Sequence, residues 1–114
     1  RLIENETLHG NQAYSIVDLF RDMHDGIFSE LKNGRPIGTY RRNLQLAFVD
    51  KLESLMNLKG AQYEQSDIKA MARGMLITLK GQTGKNVKRQ KDTLSKLHLQ
   101  ELHARIEKIL GDDD

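Results

Sequence analysis

Residues 38–56 read GTYRRNLQLAFVDKLESLM, and the way they are read decides the fold. At about 100° per residue, Tyr40, Leu44, Ala47, Phe48, Val49, Leu52, Leu55 and Met56 cover more than half of a helical wheel. Leu46 lies outside even that arc. A helix this broadly apolar packs on two sides, so this one, from about 39 to 58, is expected at the centre of the fold. It opens oddly: two arginines follow Tyr40, and Arg41 projects into the apolar arc between Phe48 and Leu52. Arg42 points elsewhere, near the solvent face.

Upstream, Ile16, Leu19, Phe20, Met23, Ile27, Phe28 and Leu31 share one half of a wheel and predict a helix over 16–32. Ser15 is its expected N-cap, with Asp18 completing a short capping box. The stretch NGRPIG, residues 33–38, reads as a turn, with Gly34 in the left-handed cap conformation and Pro36 restarting the chain. Residues 1–14 carry too little periodicity to assign and are expected to form a packed, irregular arm.

Downstream, KGAQYEQ, residues 59–65, reads as a loop. A third helix is expected over 67–87, capped by Ser66 and Asp67, with a narrow stripe of Ile68, Met71, Ala72, Met75, Leu76 and Leu79. Gly81 and Gly84 weaken it, each costing about 1 kcal/mol in a helix interior. A fourth helix, 94–110, is capped by Asp92 or Thr93 and ended by Gly111. Its stripe is Leu99, Leu102, Ile106, Ile109 and Leu110. Short connections favour antiparallel neighbours. The expectation is an all-α domain spanning residues 1–114: a compact antiparallel four-helix assembly with an irregular N-terminal arm.

The hairpin of the first two helices explains the arginine in the apolar arc. Glu30 falls inside helix one's own apolar arc, between Leu19 and Met23. A short turn brings it to the same end as Arg41, and a partly buried Glu30–Arg41 pair is expected there. Two other readings stay open. The stem of Arg41 could snorkel over the core to water, or Arg41 and Arg42 could dock on another domain.

Composition bounds the rest. A chain of 114 residues holds one domain, and 30% charged against 38% hydrophobic residues suits helices that each bury one face. No apolar run approaches the roughly 18 residues that span a bilayer. No cysteine is present, so disulfides and thiolate metal sites are excluded. No initiator Met opens the chain, and RLIENETLHG reads like the middle of a longer protein. Net charge is +2; the surplus sits in KNVKRQK, residues 85–91, which is expected to be a solvated, flexible helix junction rather than a nucleic-acid site.

No catalytic pattern stands out. His98 and His103 lie five residues apart, about 140° around a helix, and cannot chelate one metal. His24 belongs to helix one's apolar face as a core or boundary residue. There is no His-Glu-x-x-His, no G-x-S-x-G elbow and no phosphate-binding glycine loop. Met23, Met56, Met71 and Met75 occupy core positions as gap-fillers.

Four strings in order carry a resemblance: RLIENETLHG…AYSIVDLFRDMHDGIFSEL, YRRNLQLAFVDKL, SDIKAMARGMLITLK and HLQELHARIEKIL. Together the chain resembles the C-terminal helical region of large bacterial zinc-dependent metalloproteases with an EcxA-type, metzincin-like catalytic domain. GIFSEL and YRRNLQLAFV are the sharpest parts. The resemblance implies a zinc-binding His-Glu-x-x-His domain upstream in the parent and an exported parent, periplasmic, outer-membrane-anchored or extracellular. It implies no catalytic, cofactor or metal residue within these 114 positions. Tyr40, Arg41, Arg42 and Glu30 are then expected to be structural or interdomain residues, and the catalytic domain of the same chain is the expected partner. KGQTGKN, residues 80–86, departs from the family's more regular helix. A free-standing helical interaction module is the alternative. It would follow from a short parent ending near Arg1.

Overall fold

The computed structural model describes the backbone of residues 8–58 and 63–111, with side chains described over 16–58 and 66–111. Among the described residues four helices follow one another: α1 (Leu8–Asn33), α2 (Thr39–Met56), α3 (Tyr63–Arg89) and α4 (Thr93–Leu110). They pack together around one core built from Ile27 and Leu31 of α1, Phe48 and Leu52 of α2, Leu76 and Leu79 of α3, and Leu102 and Ile106 of α4. The all-α, four-helix class expected from the apolar periods is the class observed.

The helices differ from the expected ones at their ends. No irregular arm occupies 8–14: α1 begins at Leu8, so Ser15 lies within the helix and does not cap it. Extending a formed helix adds one hydrogen bond per residue fixed, which offsets weak periodicity and Gly10. Residues 1–7 lie outside the described residues. Likewise α3 begins at Tyr63, so Ser66 and Asp67 fall inside its first turns. It runs straight through Gly81 and Gly84 to Arg89, while α2 stops at Met56. Asp92 does cap α4, its Oδ2 accepting from the Ser95 amide at 3.0 Å. Gly34 has φ of 72° and Gly111 has φ of 74°, the left-handed region that frees each chain end from its helix.

The central helix is α3, not α2. α3 packs extensively against all three others, whereas α2 lies mainly against α3 and α4 and meets α1 through Phe20–Phe48 and the Glu30 contacts. The reason is visible along α3's inner face. Ala72, Leu76, Leu79, Thr83, Asn86 and Gln90 recur at alternating spacings of four and three, and all are buried. The stripe turns polar at Thr83 but does not end there. This also corrects the reading of 85–91 as a flexible junction: Asn86 and Gln90 are buried and helix continues to Arg89.

Neighbours in sequence alternate in direction, so α2 and α4 run side by side in parallel. Gln45 meets His98, and Asp50 meets Arg105 at 2.6 Å. The principal extents are 50 × 35 × 17 Å, and the radius of gyration is 15.8 Å against about 13 Å for a compact chain of this length. The slab is two helices thick and no more. Its length follows from α1, 26 residues or about 39 Å long, whose outer part leaves Ile16 43% and Leu19 56% exposed.

Candidate functional site

The corner between α1 and α2 sets the half-buried Glu30–Arg41 pair beside the buried polar side chains of Gln45, Gln90, Ser95 and His98. Glu30 comes from the last turns of α1 and Arg41 from the first turn of α2. Gly34 reverses the chain between them. Arg41 clasps Glu30 with both arms of its guanidinium, Nε to Oε2 at 2.5 Å and the Nη2 group to Oε1 at 3.0 Å. This is the bidentate fork that an arginine offers and a lysine cannot. The hydrogen bonds to Glu30, ahead of Coulomb attraction, raise the Arg41 pKa still further above its ordinary value.

One turn further along α2, Gln45 is fully buried and donates its Nε2 to Glu30 Oε1 at 3.1 Å. Its Oε1 therefore faces His98 of α4, whose Nε2 lies 2.8 Å away. An amide oxygen only accepts, so His98 must carry its proton on Nε2. His98 is 6% exposed, and burial first, with the positive charge of Arg42 second, pushes its pKa below 6.5. Arg41, Glu30, Gln45 and His98 thus form one relay across α2, α1, α2 and α4.

A second layer fixes the turn itself. The Ile37 amide donates to Ser95 Oγ at 2.8 Å, and that hydroxyl donates to Asp92 Oδ2 at 2.7 Å. The Ser95 hydroxyl and amide hold the Asp92 carboxyl below its usual range. Arg42 donates to the Ile37 carbonyl at 2.6 Å and to Thr39 Oγ1 at 3.0 Å. Arg89 donates to the last carbonyls of α1, Leu31 and Lys32, and Gln90 to the Arg35 carbonyl at 3.2 Å. The Leu31 and Lys32 carbonyls are groups a helix end leaves unpaired.

The expected residues separate at this point. Glu30 and Arg41 meet as a pair. Arg42 is not surplus charge on the solvent face, because it braces its own turn. Leu46 packs against the core rather than lying outside the apolar arc. Tyr40, read as opening that arc, is 74% exposed. It sits in the first turn of α2.

His24 is a boundary residue, its ring stacked on Phe28 with centroids 6.1 Å apart. His103 binds Thr83 Oγ1 through Nδ1 at 2.7 Å, and a Cβ on Gly84 would come within 3.4 Å of its ring. Gly84 therefore lets α3 and α4 approach across His103. Behind this contact lies an open groove of about 920 Å³ between α3 and α4.

The corner joins its helices through paired polar groups. Glu30's oxygens serve three donors from Arg41 and Gln45, and His98 is enclosed. Glu30 borders a small surface pocket of about 140 Å³ with its carboxylate already engaged by Arg41 and Gln45. Among the described residues no three of His, Asp and Glu gather where they could share a metal ion, and no helix is long and apolar enough to cross a membrane. The buried polar members Gln45, Thr83, Asn86, Gln90 and Ser95 were missed by hydrophobic periodicity. Their signal was positional: Thr83, Asn86 and Gln90 continue the stripe of Ala72, Leu76 and Leu79, while Gln45 and Ser95 stand one turn ahead of Phe48 and Leu99 in theirs. No protein-family model, curated protein or solved structure matches this chain.

Proposed function

We propose that this chain is a non-catalytic helical domain of a zinc-dependent metallopeptidase, bracing the catalytic domain or shaping its substrate cleft. The zinc and its ligands belong to the parent's catalytic domain, and the parent is an exported protein.

The observation that carries the reading is where its most family-like strings fall. GIFSEL, residues 26–31, and YRRNLQLAFV, residues 40–49, supply Glu30, Arg41 and Gln45, and so build the polar corner between them. Strings that resemble a family by holding two helices at a fixed angle suit a scaffold. Docking on a neighbouring domain is supported by the uncovered outer part of α1, where Ile16 and Leu19 stand open, and by exposed Tyr40.

The test is the reading frame upstream of the codon for Arg1. An extended His-Glu-x-x-His is expected there, and a frame without one overturns the proposal. In the second arm, the upstream domain and this chain are expressed as separate polypeptides. They are expected to co-purify, and Ile16→Glu with Leu19→Glu is expected to separate them. Peptidase activity from this chain alone with added zinc contradicts the reading.

A further inference from the structure

The groove between α3 and α4 is separate from the Glu30–Arg41 pair, and only its far end reaches Arg89 and Gln90, whose side chains reach the end of α1 and the turn after it. It continues past Lys88 and Gln100 into a second depression of about 650 Å³ beside the start of α4. The two form one channel running from Ile77 to Lys91, about 20 Å at 1.5 Å per residue. Its floor is small and apolar where the helices meet: Gly81, Gly84, Val87 and Ala104. Large apolar side chains stand open at its two ends, Ile77 at 44% and Leu97 at 57% exposure.

The rim is cationic. Lys80, Lys85, Lys88, Lys91 and Lys96 surround the channel, and none of them pairs with a carboxylate among the described residues. Glu107 is the one acid of the lining among the described residues and lies 3.5 Å from His103. Five like charges around an apolar trough repel one another until a counter-charge arrives.

We propose that this channel docks an acidic, amphipathic helix of a protein partner. The trough takes the helix's apolar face, the missing side chains at Gly81 and Gly84 let it sit close, and the lysines meet its acidic flanks. About four turns of helix fill the channel's length. A nucleic acid suits it less, because among the described lining residues the one ring is His103, held by Thr83, and the one arginine, Arg89, is taken up by the carbonyls of Leu31 and Lys32, which leaves lysines to meet a counter-charge. A membrane surface suits it less, because the apolar lining is concave and Leu97 turns into it. The inference needs no particular parent chain and survives if the peptidase reading fails.

The test titrates the 114-residue chain against a fluorescein-labelled peptide of about 14 residues, leucine on one helical face and glutamate on the others, read by fluorescence anisotropy. Saturable binding is expected, weakened about tenfold or more by Lys85→Glu with Lys88→Glu. Gly81→Leu is expected to block it equally while leaving the helical circular dichroism intact, since a Cβ there meets nothing within 4 Å. Three results overturn the proposal: no saturable binding, equal binding of the same peptide with lysine for glutamate, or tighter binding of a single-stranded oligonucleotide or of phosphatidylglycerol vesicles.

Discussion

His98 of α4 gives its Nε2 proton to the side-chain oxygen of Gln45 in α2, at 2.8 Å, with both side chains buried. The same amide reaches Glu30 of α1 at 3.1 Å. Gln45 therefore joins α1, α2 and α4 through polar contacts. Gln45→Leu keeps the bulk but leaves the His98 donor buried and unmet. It is expected to destabilise the fold by about 2 kcal/mol. Urea unfolding checks this, and a cycle with His98→Leu should recover part of the loss, because removing both partners leaves no orphan.

The same contact makes stability depend on pH. His98 titrates below 6.5 in the folded state, through burial first and Arg42 second, with Glu101 opposing. The unfolded chain then binds the proton more readily. Stability from this residue is fully present above about pH 6.5 and is lost as pH falls toward the folded-state pKa. Unfolding free energy measured from about pH 8 to about pH 5 is expected to decline through that window, and His98→Gln should flatten the slope. An NMR titration of the His98 ring should give a midpoint below that of a free histidine.

The contrast between Leu79 and Asn86 shows what was legible in the sequence. Leu76 and Leu79 announce the buried face of α3 by chemistry, and the fold class follows from such stripes. Thr83, Asn86 and Gln90 occupy the same face at the same spacing, but their side chains read as solvent-facing. Their burial depends on which helices arrive from elsewhere in the chain. Glu30 and Arg41 were legible because each is a charge out of place on its own helix. Arg42 was not, since its partner is a backbone carbonyl, which every residue has. The α3–α4 groove was half legible: KNVKRQK shows Lys85, Lys88 and Lys91 as surplus charge, but only the fold sets them beside Lys96 of α4 around a trough.

Arg89 and Gln90 tie the end of α3 to the end of α1 and the turn after it. Arg89 meets the carbonyls of Leu31 and Lys32, and Gln90 those of Gly34 and Arg35. Arg89→Ala is expected to cost about 1–2 kcal/mol, as a charge-assisted contact with partial solvent access. The loss should be local. Hydrogen exchange is expected to speed up in residues 28–38 and to stay unchanged in the core at Leu52 and Leu102. Uniform acceleration across all four helices would show that Arg89 does not act as a latch.

Gly34 and Gly81 should respond oppositely to the same substitution. Gly34 sits at φ of 72°, so Gly34→Ala forces an L-residue into the left-handed region beside the Arg89 guanidinium, 3.5 Å from the new methyl. A cost of about 1 kcal/mol is expected. Gly81 is exposed in the interior of α3, and its new Cβ would meet nothing within 4 Å. Gly81→Ala is therefore expected to stabilise by up to about 1 kcal/mol through helix propensity. Gly84→Ala falls between them, because its methyl lies 3.4 Å from His103 Cε1 and the gain in propensity is offset by crowding. Thermal melts of the three variants give the order Gly81→Ala, Gly84→Ala, Gly34→Ala from most to least stable. If Gly34→Ala melted at or above the parent chain, the turn would not need its left-handed residue, and the geometry that brings Glu30 to Arg41 would have another cause.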